Sequence, residues 1–309
     1  MKATIRPPAG DSENRRNGGV LLKERALSTV IKLRYPQIFI YIFLIFTAFI
    51  ALFPVIYILL SSFKSNQEIM VGGVKLLPET WQAANYVKAW KLGNFARYTF
   101  NSIYMCFFIV IGCICTAAVE GYVFSRGTSP FTRFVYSLVM ASLFISIGTL
   151  SLFPQMGVIR AVKLNGTLWG VVLVHVFGLN VTQVFLSTSF FNQIPKEIDE
   201  AARIDGCGFA RIFISIIAPL TQPLIAAIGL ISFRLAWSDY LMPYVFTISR
   251  PQNFPLVVGV INLKSSGEAA SSWDLALAGI SISLIPMLIV YMFLNRFFIS
   301  GLTEGALKG

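Results

Sequence analysis

The sequence predicts an all-α, polytopic membrane protein with six transmembrane helices and both termini in the cytoplasm. Three observations carry this fold class. Of 309 residues, 56% are apolar and only 13% charged, about half the charge density usual for a soluble domain. Several uncharged runs reach about 20 residues, the length at which a helix crosses the hydrocarbon layer of ~30 Å. Lys and Arg fall between those runs, fifteen on one set of alternate segments against nine on the other, with Arg234 inside a run. The positive-inside rule then places both termini in the cytoplasm, mostly on the weight of eight basic residues in the first 36.

Taken in order, residues 1–36 form the cytoplasmic N-terminal segment, whose first part is rich in Pro, Gly, Asn and charge and is expected to be partly disordered. The six-helix domain occupies residues 37–309, with spans at Ile38 to Leu60, Phe100 to Val123, Phe134 to Met156, Leu168 to Phe191, Pro219 to Leu241 and Leu275 to Phe298. The first span is too long and uncharged for a signal-peptide core and lacks a small-x-small cleavage site, so it is expected to stay as an anchor. Residues 61–97, the longest external loop, interleave Trp81, Tyr86 and Trp90 with lysines, as in a small folded cap or an interfacial helix. No internal repeat is visible, which disfavours secondary transporters built from symmetric halves.

Scarce residues exclude several chemistries. The one histidine, His175, and the cysteines Cys106, Cys113, Cys115 and Cys207 offer no zinc-ligand spacing and no disulfide framework. No glycine-rich loop ends in Lys-Ser or Lys-Thr, so this chain has no evident cradle for nucleotide phosphates, and any dependence on ATP must come from a partner. The net charge of +11 lies around the apolar spans, where it fits the membrane surface and not nucleic acid.

The long loop between the fourth and fifth spans, residues 192–218, reads as two short helices. Pro195 suits a first helical turn, Glu197, Asp199 and Glu200 sit near the positive end, and Gly206 can take the left-handed conformation that stops the helix near Asp205. Ile198, Ala201 and Ala202 share one face, a smooth surface flanked by carboxylates. A helix lying on anionic headgroups is usually basic, whereas Lys196 to Asp205 holds four acids against two bases. That balance favours docking on a protein partner, with Arg203 and the carboxylates as polar contacts.

Glu200-Ala201-Ala202, followed by Gly206, Ile216 and Pro219, is similar to the EAA loop of inner-membrane permeases of ATP-binding-cassette importers, and Glu-Ala-Ala-Arg-Ile-Asp-Gly with Phe213, Pro219 and Pro223 resembles their carbohydrate branch. Ala218 departs from the family's usual leucine. Trp237-Ser-Asp239-Tyr240-Leu-Met-Pro243 resembles a Trp-Asn-Asp segment of maltose-type permeases, with Ser238 in place of asparagine, and Gly301 through Gly309 resembles the ending of the smaller maltose-type permease subunit. The resemblance covers roughly residues 37 to 309. It implies a non-catalytic subunit in the cell inner membrane, paired with a second and different permease chain. Substrate, an oligosaccharide, would arrive from an extracytoplasmic solute-binding protein, and two ATPase subunits holding ATP and Mg would dock on the cytoplasmic side. Coupling to those ATPases is carried to Glu200, Ala201, Ala202, Asp205 and Gly206, and contacts of the tail at 299–309 to Gly301, Glu304 and Lys308.

Within the membrane, Arg234 costs about 2.5–3.5 kcal/mol on insertion scales, so it must face the bundle interior, water or a counter-charge. Asp239 and Glu120 are the acids in reach by sequence, and the competing role is a pathway residue that meets substrate through a planar fork suited to carboxylate or phosphate. With the basic excess of the external segments, that second role points to an acidic, uronate-type sugar. Trp237, Tyr240 and Tyr244 either stack on sugar rings or anchor the interface. His175, among valines, reads as a packed and hydrogen-bonded residue before a proton relay. The rival function is a secondary transporter with Glu120 or Asp239 as its ion site. An intramembrane enzyme finds no nucleophile and base pair.

Overall fold

The computed structural model describes residues 37–73, 75–145, 148–263 and 272–306, with side chains to residue 293. Residues 1–36 and Lys308 lie outside the described residues, as do the side chains of Gly301 and Glu304. Every regular element among the described residues is helical. The chain divides into a unit that ends at Ile58 and a second that begins at Leu59.

The first unit is most of α1 (Gln37–Ser61), whose side chains are exposed from Gln37 to Pro54. Over that stretch the helix is apolar all round, the pattern of one that faces an apolar environment. Phe49, Phe53 and Tyr57 follow one another along it at four-residue intervals, with ring centroids 6.2 Å apart.

The second unit is built around α4 (Phe95–Arg126), at 32 residues long enough to overshoot the hydrocarbon layer at its ends. Cys113, Ala117, Gly121 and Ser125 recur every four residues and are all buried. Small side chains let helices approach closely where no hydrophobic force drives them together. The approach is tight on α7 (Leu168–Phe177) and α8 (Val181–Asn192): a Cβ on Gly112 would lie 2.4 Å from Val176 Cγ2, and one on Gly121 2.3 Å from Ser187 Cβ. α12 (Gln222–Ser238) also packs on α4, and Gln183 donates to Ser232 at 3.0 Å to join α8 to α12.

At the Phe95 end of α4, residues of the 61–97 segment form α2 (Asn66–Val71) and α3 (Ala84–Leu92). Buried Asn85 donates to Ser62 O and Lys64 O, and Phe63 packs on Trp81 and Tyr86. α14 (Leu256–Leu263) is pinned to the same end, where Ser102 Oγ accepts the Leu256 N–H at 2.8 Å.

Among the described residues three helices are long and apolar enough to cross a membrane unaided: α1, α4 and, within α15 (Trp273–Ala306), the stretch Trp273–Phe293. Two bent pairs bring the number to five at most. The first pair is α7 with α8, at 45°. In the second, α10 (Phe209–Ile212), a π-turn at Phe213–Ile217 and α11 (Ala218–Leu220) meet α12 at 81°. Pro219 and Pro223 flank that corner, and each removes an N–H that would have continued the ladder.

The third of the six expected spans is not a single helix. Between Phe134 and Met156 the chain forms α5 (Pro130–Ala141), two single 3-10 turns and α6 (Leu152–Ala161), because Ser142 caps back onto Val139 O, Ile145 is extended and Gly148 takes φ +56°. The fifth predicted span ends at Ser238, where Asp239 turns extended before α13 (Leu241–Thr247). The last helix runs past Phe298, so the tail begins as more helix, and Pro286 sits inside it.

Candidate functional site

The loop after α8 folds as the residue types require. α9 (Glu197–Ile204) carries Glu197, Asp199 and Glu200 in its first turn, where helix dipoles favour anions, and Arg203 in its last. Gly206 takes φ +82°, the Cys207 N–H reaches Ala202 O at 2.9 Å and the Gly206 N–H reaches Arg203 O at 3.0 Å. This is the paired bond pattern of a Schellman stop, with the glycine in the position that needs it.

Beneath α9 lies a sealed polar cluster. Asp199, 3% exposed, accepts the Tyr122 hydroxyl at 2.6 Å through Oδ1 and the Arg126 Nε at 2.9 Å through Oδ2, with Arg126 Nη2 also 2.9 Å from Oδ2. The same guanidinium donates to Phe191 O, Ile194 O and Ser125 Oγ at 3.0–3.1 Å. A buried ion pair is tolerable only when its remaining donors and acceptors are also satisfied, and here the fork is used in full. Around it pack Ala117, Phe191, Ala202, Ile212 and Ile217, while the Tyr122 ring meets Phe209 and Phe213 at 4.9 and 5.1 Å.

The expected apolar face is divided. Ala202 is buried and Ile198 half-buried against the chain's own core, whereas Ala201 points outward. The exposed row is Glu197, Glu200, Ala201 and Ile204, the last 87% exposed, with Arg203, Asp205 and Gly206 beside it. Sequence reasoning missed Arg126, Tyr122 and Asp199. By sequence Arg126 counts only among the basic residues that set orientation, and Asp199 reads as a dipole-favoured acid and one of the polar docking contacts, not as a buried partner. The available signal was an arginine at the end of one span and a carboxylate in the first turn of the next loop helix.

At the other end of α12, the four candidate pathway residues part company. Trp237 is buried, stacks on Phe233 at 5.5 Å and donates Nε1–H to Ser283 O at 3.0 Å, a packing role. Asp239 lies 3.1 Å from His175 Nε2 and accepts the Met242 N–H, so the histidine is hydrogen-bonded, and it is half-buried where a packed core position was expected. Tyr240 stacks on Tyr244 at 5.4 Å. Tyr244 also lines a cleft with Tyr98, Phe254 and Asn94. Arg234 pairs with neither Asp239 nor Glu120. It is exposed and makes no hydrogen bond or ion pair among the described residues. Among those residues no group of three His, Cys, Asp or Glu side chains is placed to hold a metal ion.

No protein-family model matches the chain. It is 30% identical over 267 residues to an arabinooligosaccharide transport system permease protein of Halalkalibacterium halodurans, covering 85% of this chain and 94% of that one. It is 29% identical over 266 residues to a diacetylchitobiose uptake system permease protein of Streptomyces coelicolor, covering 86% and 87% respectively. Among solved structures it superposes with a TM-score of 0.73 and 25% identity on a chain of a bacterial ABC transporter involved in the import of the acidic polysaccharide alginate, over 86% of this chain and 97% of that chain.

Proposed function

Because this chain belongs to the permease subunits of carbohydrate ATP-binding-cassette importers, we propose that it forms part of the membrane pathway for an oligosaccharide and couples that pathway to partner ATPases through α9. One observation carries the reading: α9 is rooted in the bundle by a sealed ion pair while Glu200, Ala201, Ile204 and Gly206 stand free on its outer side. A helix fixed at its base and bare on its outer row transmits rigid-body motion to whatever grips it.

In this reading the chain crosses the membrane six times with both termini cytoplasmic, the broken 130–161 segment supplying the sixth crossing. Phe144 and Phe153, 92% and 87% exposed there, fit lipid or a second permease chain. Two ATPase subunits holding ATP and Mg dock at Glu200, Ala201, Arg203, Asp205 and Gly206, with tail contacts from Gly301, Glu304 and Lys308. An extracytoplasmic binding protein delivers the sugar. Arg234, exposed on α12 and without a hydrogen bond or ion pair among the described residues, supports a role in meeting an anionic ligand, and the structural neighbour's acidic cargo is in keeping with a uronate-type sugar.

The test is to purify the chain with its partners and compare binding-protein-stimulated ATP hydrolysis in the wild type, Glu200→Lys and Gly206→Pro. Both variants should lose the stimulation or the ATPases while remaining membrane-inserted. Gradient-driven uptake with no ATPase bound would overturn the reading in favour of a secondary transporter. For the substrate class, Arg234→Gln should reduce oligouronate uptake at least tenfold, and undiminished uptake would remove Arg234 as its ligand.

A further inference from the structure

We propose that Arg126 is the positioning residue that makes α9 a single rigid piece with α4 and α8, so that motion applied at α9 reaches the membrane helices without being absorbed in a hinge. This rests on the reading of α9 as the ATPase-docking helix.

The link between α8 and α9, residues 193–196, is four residues of irregular chain with Pro195 in it, a natural place for two helices to swing against each other. One guanidinium spans that link. Arg126, in the last turn of α4, donates to Phe191 O in the last turn of α8, to Ile194 O in the link and to Asp199 in the first turn of α9. Its side chain is 6% exposed and that of Asp199 5%. The second carboxylate oxygen is held by Tyr122, one helical turn back along α4, so Asp199 is fixed from two points on the same helix. A buried network with its polar atoms satisfied has one low-energy arrangement, and swinging α9 would strand a carboxylate and a guanidinium together.

Lysine cannot reproduce this. Its ammonium is a point charge without the planar fork that reaches Phe191 O, Ile194 O and Asp199 at once. A residue needed only for its charge would tolerate Arg126→Lys, whereas one that bridges three elements would not.

The experiment uses the full complex of this chain with its partner permease, ATPases and binding protein in lipid nanodiscs, and compares Arg126→Lys, Arg126→Gln and Asp199→Asn with the wild type. Two quantities are read: amide exchange across residues 197–204, and stimulation of ATP hydrolysis by binding protein presented with an oligouronate or a neutral arabinooligosaccharide, whichever the wild type answers. The expected result is retained ATPase copurification, exchange in α9 faster by at least tenfold, and stimulation reduced by at least tenfold in all three, with the double variant Arg126→Gln/Asp199→Asn no worse than either single one. Wild-type exchange and stimulation in Arg126→Lys would overturn the proposal, as would loss of the ATPases from every variant, which would make Arg126 a requirement for assembly alone. If Glu200→Lys and Gly206→Pro uncouple hydrolysis while Arg126→Lys does not, only the role of Arg126 falls. If none of these substitutions uncouples it, the docking reading of α9 falls too.

Discussion

Gly121→Ala adds one methyl group where α4 packs closely on α8. Its Cβ would lie 2.3 Å from Ser187 Cβ, 2.8 Å from the Ser187 carbonyl carbon and 3.0 Å from Phe191 Cδ2. Carbon atoms sit best at about 3.5–4.0 Å, so the helices must part by roughly 1 Å. The nearest obstacle includes backbone, which a rotamer change cannot remove. Replacing glycine by alanine inside a helix returns up to about 1 kcal/mol of propensity, and overpacking a tight core costs about 1–3 kcal/mol or more. Parting α8 from α4 also pulls Phe191 O from Arg126, so the net effect is a loss of about 1–2 kcal/mol. Gly157→Ala in α6 is the control, because nothing lies within 4 Å of its Cβ, and only the propensity gain of about 0.5–1 kcal/mol operates there. Thermal unfolding of the detergent-purified complex, followed by loss of the monodisperse gel-filtration peak, reads the difference at roughly 2–4 °C per kcal/mol. Gly121→Ala should melt below wild type and Gly157→Ala at or slightly above it. A Gly121→Ala variant as stable as the control would refute close α4–α8 contact as the reason for this glycine.

Two further outcomes are expected. Ser102→Ala removes the buried acceptor of the Leu256 N–H, which should cost about 1–3 kcal/mol and accelerate exchange of that amide. Unchanged exchange at Leu256 would show that another acceptor takes over. With Cys106, Cys113 and Cys115 replaced by alanine, half-exposed Cys207 should react with a membrane-impermeant maleimide in inside-out vesicles and not in right-side-out ones. The opposite pattern would reverse the orientation derived from the basic residues.

The membrane class, the place of the first, second and last spans, and α9 with its glycine stop were legible because each depends on short-range signals: runs of apolar residues, acids at a helix start, a glycine where φ must be positive. The division of α9 into inner and outer rows was not. Ile198, Ala201 and Ala202 share a face by periodicity, yet which side of that face turns inward depends on how Ile212, Phe191 and Tyr122 pack beneath it. The division of the third span into α5 and α6 was not legible either, because its composition is apolar throughout, while the Ser142 bond to Val139 O and the positive φ of Gly148 are matters of local backbone geometry.

The sequence by itself therefore determined which helices are long and apolar enough to cross a membrane and the family motif on the loop, since hydrophobicity and capping act over a few residues. Only the tertiary structure decided which polar groups meet. It gave Asp199 to Arg126, 73 positions away, and brought Asp239 within 3.1 Å of His175, and it left Arg234 exposed on α12. A charge far from water must be met by whatever partner the fold brings within about 3 Å, and separation along the chain says nothing about that distance.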